Sequence, residues 1–219
     1  GLGKNPFNPA LVGRVFMLIS FPVEMTSWPV PKPLFAPAIT DAITGPTALG
    51  LMKEGVAAGK TVEQMLASGE MPQYMERFIG QMGGSLGEIS ALALLLGGLY
   101  MVWKKVIDWQ IPVAILLTVA AIAGIMHLVD PQYYVEPVFH LFSGGLMLGA
   151  VFMATDMVSS PMNMNGKIVY GIGIGLITII IRLWGAYPEG ISFAILIMNA
   201  LTPLINNAFK PKRFGLVRK

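Results

Sequence analysis

The sequence predicts an all-α, polytopic membrane protein with about six transmembrane helices in this stretch of chain. Composition is the first reason. Of 219 residues, 54% are hydrophobic and 12% charged, and the mean hydropathy is +0.66; an ordinary soluble domain is about 25% charged. The second reason is a series of apolar runs near the length that crosses a hydrocarbon layer about 30 Å thick. The third is the placement of Lys and Arg in alternate connections, which marks the cytoplasmic side.

Composition also excludes several chemistries. The chain has no cysteine, so it holds no disulfide, thiolate zinc site or iron–sulfur ligand of its own. Two histidines are too few for a His-rich metal centre. The net charge is +3 and the basic residues do not gather on one face, so no nucleic-acid surface is expected. The chain opens Gly1-Leu2-Gly3-Lys4, without an initiator Met or a signal-peptide pattern, and reads as starting inside a longer protein.

Five runs are expected to span the membrane: Leu86 to Trp103, Ile111 to Leu128, Val138 to Ala154, Ile168 to Trp184 and Ile191 to Ile205. A sixth, Ala10 to Met25, carries Arg14, Pro22 and Glu24. Gly144-Gly145 and the alternating glycines Gly171, Gly173 and Gly175 suit close helix packing. Lys104, Lys105, Lys167 and the tail residues Lys210, Lys212, Arg213, Arg218 and Lys219 all fall on one side of an alternating path. Asp130, Glu136 and Glu189 fall on the other, with Arg182 near that end. The expected layout is therefore a first membrane segment (1–25), an outer cap (26–85), a five-helix bundle (86–209) and a basic cytoplasmic tail (210–219). Within the cap, Trp28 to Pro33 is proline-rich and extended, and helical spacing recurs near Ala48–Ala58, Thr61–Ala67 and Met71–Met82. Their apolar residues fit a cap lying on a lipid surface.

The stretch Asp41-Ala42-Ile43-Thr44-Gly45-Pro46-Thr47-Ala48-Leu49 reads as a turn followed by a helix start. Gly45 permits unusual backbone angles, Pro46 fixes φ before Thr47, and Thr44 and Asp41 are residue types that cap helices. A helix N-terminus also suits a phosphate, because unpaired amides and the helix dipole both face it. Structural and ligand-bearing readings both fit the pattern.

The stretch resembles the flavin-attachment motif Asp-x-x-Ser/Thr-Gly-Ala-Thr of the RnfD/NqrB family of membrane electron-transfer proteins. One branch of that family, RnfD, serves Rnf-type ferredoxin:NAD oxidoreductases, and the other, NqrB, serves the sodium-pumping NADH:quinone reductase. Thr44 is a permitted substitute for Ser, and Pro46 stands where Ala is usual. The resemblance extends over Asn5-Pro6-Phe7-Asn8-Pro9-Ala10-Leu11 with Gly13-Arg14, over Phe21 to Trp28, and over Gly84 to Gly98 with Gly87-Glu88. It continues through Ser143 to Asp156 and through Tyr187-Pro188-Glu189-Gly190 to Asn199. Met25-Thr26-Ser27-Trp28 and Tyr187-Pro188-Glu189-Gly190 resemble the ferredoxin:NAD branch more closely.

The resemblance implies FMN joined through a phosphoester to Thr47, within a motif formed by Asp41, Thr44, Gly45 and Pro46. It implies a second, noncovalent flavin, riboflavin, near Asn5 and Asn8; capping of a helix by Asn8 beside Pro9 is the alternative. Glu88 lies just inside an apolar run and serves either an ion path or a capping box with Ser85. The implied fold is a urea-transporter-like helical bundle. The implied role is one step of ferredoxin:NAD electron transfer coupled to Na⁺ or H⁺ export. Partners would supply iron–sulfur clusters and another flavin, and a flavin transferase would attach the FMN. The expected location is the inner membrane, with Thr47 outside and the C-terminus in the cytoplasm. A redox-free channel on the same fold, or the quinone-reductase branch, is the alternative.

Overall fold

A computed structural model describes residues 5–29, 44–69 and 71–210. Asp41, most of the proline-rich stretch and the basic tail beyond Lys210 lie outside the described residues. Helix α1 (Pro9–Ser20) comes first, started by Pro9 at its first turn and capped by Asn8. It ends earlier than the run Ala10 to Met25 suggests: Pro22 cannot continue the ladder, and Glu24 lies exposed in the turn that follows. Strands β1 (Ser27–Pro29) and β2 (Thr44–Pro46) then pair antiparallel, with Trp28 opposite Gly45.

Among the described residues of the cap are three short helices: α2 (Ala48–Ala57), α3 (Val62–Ala67) and α4 (Tyr74–Ile79). They coincide with the helical spacing in the sequence. Leu49, Met52, Val62 and Met65 bury together with Met71, Met82, Val135 and Phe139, which joins the cap to the membrane bundle.

Among the described residues, three helices are long and apolar enough to cross a membrane: α6 (Gln110–Val129), α9 (Met164–Trp184) and α10 (Ile191–Ala208). Helices α1 and α5 (Ala91–Trp103) are apolar but shorter. Helices α6 and α9 approach closely because α9 presents glycines at i and i+4. A Cβ at Gly171 would lie 2.7 Å from Ala114 Cβ, and one at Gly175 would lie 2.7 Å from Thr118 Cβ. These contacts confirm the packing reading for the α9 glycines.

The run Val138 to Ala154 is not one continuous helix, contrary to expectation. It divides into α7 (Pro137–Phe142), a break at Ser143–Gly145, and α8 (Leu146–Leu148) running into a π turn at Gly149–Met153. Gly144 has φ of 67°, a left-handed value that a glycine adopts without strain and that ends α7. The Gly144-Gly145 pair therefore breaks a helix rather than packing two together. Broken helices at membrane depth occur where protein groups satisfy the freed backbone, and the charged residues beside this break do so.

Candidate functional site

Thr47 is the N-cap of α2. Its backbone is extended (φ −68°, ψ 159°), and its Oγ1 accepts from the Gly50 N–H at 3.2 Å. Thr47 itself is therefore the cap, a role the sequence suggested for Thr44 or Asp41. Thr44, Gly45 and Pro46 form β2 and hold Thr47 beside Trp28. Gly45 has no left-handed φ, and a Cβ there would meet nothing within 4 Å, so its freedom is not used locally. The half-buried Thr47 hydroxyl faces a small cleft that also holds Arg14, Glu88 and Glu189.

Those three charges form one cluster. Arg14 Nη2 lies 3.0 Å from Glu88 Oε2 and 2.7 Å from Glu189 Oε2. Glu24, on the same segment as Arg14, is not among its partners. Glu88 is 5% exposed, and its Oε1 accepts from the Ser85 N–H at 3.1 Å. Only half of the expected capping box exists, because Ser85 Oγ has no partner among the described residues and Ser90 caps α5 instead, accepting from Ala93 N–H. Glu189 Oε1 accepts from Gly145 N–H, so the α9–α10 loop reaches into the helix break.

Arg182, fully buried on α9, serves the other side of the break. Its Nη1 donates to His140 O at 2.5 Å and its Nη2 to Ser143 O at 2.9 Å, satisfying the last carbonyls of α7. The sequence placed Arg182 merely near an outer helix end; nothing local signals its burial. Lys53 on α2 donates to the carbonyls of Ile181 (3.3 Å), Gly185 and Tyr187 (2.5 Å). Burial pushes the Lys53 ammonium below the usual lysine range. A single loop, residues 185–190, is thus tied to the cap by Lys53 and to the helix break by Glu189. A cleft of about 700 Å³ runs along the far half of α2, lined by Met52, Lys53, Tyr133, Tyr134 and Trp184 among others. The cleft at Thr47 itself is only about 20 Å³.

Asn8 does more than cap α1. Its Oδ1 accepts from Ala10 N–H (3.1 Å) and Leu11 N–H (3.4 Å), and its Nδ2 donates to Met153 O (3.2 Å) at the π turn. Its own N–H donates to Asn199 Oδ1 (3.1 Å) when the Asn199 amide is oriented to donate to Tyr170 Oη (2.6 Å) and Ile195 O (3.3 Å). Asn199 lines a cleft of about 410 Å³ with Phe7, Ser159 and Asn206. Asn5 makes only a local bond to Phe7 O at 3.1 Å. His127 bonds Tyr134 O, and among the described residues no group of three His, Asp or Glu is placed to hold a metal.

Apolar spanning helices, a helix interrupted beside buried charges and a hydroxyl-bearing cap define a polytopic membrane protein with a polar centre. The chain belongs to the NQR2, RnfD, RnfE family, which matches residues 1–215. It is 48% identical over its whole length to the D component of the Na⁺-translocating ferredoxin:NAD⁺ oxidoreductase complex of Acetobacterium woodii. It is 44% identical over its whole length to the D component of the proton-translocating ferredoxin:NAD⁺ oxidoreductase complex of Clostridium ljungdahlii. It is 43% identical over 98% of its length to the D component of the ion-translocating oxidoreductase complex of Stutzerimonas stutzeri. The match covers 62%, 64% and 65% of those relatives respectively, so the chain spans less than two thirds of their length. The resemblance to the ferredoxin:NAD branch read from Tyr187–Gly190 and Met25–Trp28 agrees with these relatives.

Proposed function

We propose that this chain is the flavin-bearing membrane component of an ion-translocating ferredoxin:NAD oxidoreductase. In this reading it carries FMN through a phosphoester to Thr47. The observation that carries the reading is the placement of Thr47: a half-buried hydroxyl at the N-terminus of a ten-residue helix, at the end of the attachment motif. The amides of the first turn of α2 face the point where a phosphodiester would form, and their dipole favours its negative charge. Arg14 lines the same cleft, but Glu88 and Glu189 take up its charge, so the helix amides carry this stabilisation. The 20 Å³ cleft excludes a three-ring flavin, whereas the 700 Å³ cleft beside α2 has the size and aromatic lining of a ligand pocket. These residues fit the group, and bound FMN would supply one- and two-electron transfer at this face.

The chain's own residues hold and position. Trp28 and β2 fix the approach to Thr47, and Lys53 anchors the carrying helix to the bundle. Asn8 and Asn199, at the other end of α1, offer amide donors and acceptors beside the 410 Å³ cleft and suit a second, noncovalent flavin, riboflavin. Asn5 stands next to that cleft in sequence and belongs to the same proposal. Glu88 belongs to the ion path. The two ferredoxin:NAD relatives are named for different ions, so the transported species is a small cation, Na⁺ or H⁺. Iron–sulfur and further flavin chemistry comes from partner subunits, and a flavin transferase attaches the FMN. The basic connections put the C-terminus in the cytoplasm of an inner-membrane protein and Thr47 outside. Labelling of a cysteine near Lys210 by an impermeant reagent in intact cells would overturn that orientation.

The test is denaturing electrophoresis of the protein expressed with its transferase. A fluorescent band under ultraviolet light is expected, absent in Thr47→Ala and retained in part in Thr44→Ala. A band that survives Thr47→Ala places the attachment elsewhere. The absence of any band from the unaltered chain favours the redox-free channel.

A further inference from the structure

Glu88 and Glu189 come from connections about a hundred residues apart in sequence, yet both converge on one point. A Cβ added at Gly145 would lie 2.6 Å from Glu189 Oε1 and 2.9 Å from Glu88 Oε2. Two carboxylates this close cannot both stay charged away from water without a counter-charge. Arg14 provides it, and from a different element: one nitrogen, Nη2, reaches both. Arg182 completes the group. Its Nη2 lies 3.2 Å from the Cβ position of Gly144, where Glu189 Oε1 lies at 3.1 Å. Arg14 and Arg182 therefore balance Glu88 and Glu189.

The two arginines are held very differently. Arg182 is 1% exposed and bound to two carbonyls of α7. Arg14 rides on α1, whose Val12, Phe16, Met17 and Ile19 are all exposed and whose buried residues are only Leu11 and Leu18. Among the described residues α1 is thus the less enclosed partner, and its other polar anchor is Asn8, at the opposite end. Ser143, at the break, is fully buried and its hydroxyl has no partner among the described residues, an oxygen a ligand there could use. His140, buried one turn earlier, is the remaining titratable group there.

We propose that Arg14 is a tethered counter-ion that occupies a cation site formed by Glu88, Glu189 and the break at Ser143–Gly145. The proposal rests on the ion-translocating reading above. When α1 withdraws, the cluster is left with one uncompensated negative charge and takes up one small monovalent cation. When α1 returns, the guanidinium displaces that cation. Because Asn8 caps the same helix, events in the cleft beside Asn199 and the loading of the site share one moving part. Arg14 is a positioning residue in this scheme.

The assembled complex in sealed vesicles provides the test, with electron transfer to NAD and ions moved per electron measured together. Arg14→Gln leaves the site permanently loaded, so ions per electron fall at least about fivefold, the lower range for coupling between sites. Electron transfer and the flavin band persist. Arg14→Lys keeps the charge and retains most of the coupling. The double variant Arg14→Gln/Glu189→Gln restores the charge balance, assembles, and remains uncoupled, which secures a reading should the single variant fail to assemble. A wild-type ion ratio in Arg14→Gln, or in the double variant, overturns the proposal. So does a fall in electron transfer at an unchanged ratio, which marks Arg14 as structural. Varying Na⁺ at fixed pH, and pH at fixed Na⁺, distinguishes Na⁺ from H⁺ as the occupant. A wild-type complex that moves no ion refutes the ion-translocating reading itself, independently of Arg14.

Discussion

Gly145→Ala isolates the polar centre with a single methyl group. Gly145 has φ of −74°, a value any residue adopts, so the substitution carries no backbone penalty and its cost is steric. The new Cβ would lie 2.6 Å from Glu189 Oε1 and 2.9 Å from Glu88 Oε2. Neither oxygen can swing away freely, because Arg14, Ser85 N–H and Gly145 N–H hold the two carboxylates. Overpacking costs about 1–3 kcal/mol, and loss of the charged hydrogen bond at Gly145 N–H adds about 1.5–3 kcal/mol. For a chain of this size each kcal/mol lowers the melting temperature by roughly 2–4 °C. Gly145→Ala should therefore melt about 5–24 °C below the unaltered chain in detergent, followed by tryptophan fluorescence. Gly13→Ala serves as the control: nothing lies within 4 Å of its Cβ position in α1, and helix propensity favours the alanine. Equal melting of Gly145→Ala and the unaltered chain would refute the convergence of the two carboxylates on the break.

Two further outcomes follow from the same contacts. Lys53→Met removes three bonds to the end of α9 and its loop, so hydrogen exchange in α2 should speed up while α6 is unchanged; unchanged α2 exchange would contradict the anchoring role. Replacing Asn5 and Asn8 together by Leu should lower acid-extractable riboflavin and leave covalent FMN intact, with about 1 kcal/mol lost from the cap of α1; unchanged extractable flavin would leave Asn8 as a cap alone.

The spanning helices were legible because lipid demands long apolar runs, and α6, α9 and α10 match theirs to within a few residues. The cap helices showed through their spacing. The break at Ser143–Gly145 was not legible: within an apolar run, Gly-Gly has the same pattern whether it packs or breaks a helix. What decides is tertiary, namely Arg182 taking the carbonyls of α7 and Glu189 taking the amide of Gly145. The partners of Arg14 were hidden for a related reason. They lie 74 and 175 residues away, beyond any local periodicity. The useful signal was indirect: a lone Arg in an apolar helix implies buried acid somewhere, but Glu88 and Glu189 are only two of several acidic residues close to helix ends, Asp108, Asp130 and Glu136 among them. Asn199 escaped notice because a single amide in α10 looks like an ordinary polar interruption until Asn8 and Tyr170 are seen to meet it.

The central claim is that Thr47 bears the flavin, and the mass of the peptide containing Thr47 tests it most directly. In protein isolated from the assembled complex, that peptide should exceed its sequence mass by FMN less one water. Fragmentation should assign the addition to the Thr47 side chain. An unmodified Thr47 peptide from a complex that transfers electrons, or the same addition found on Thr44, would contradict the account.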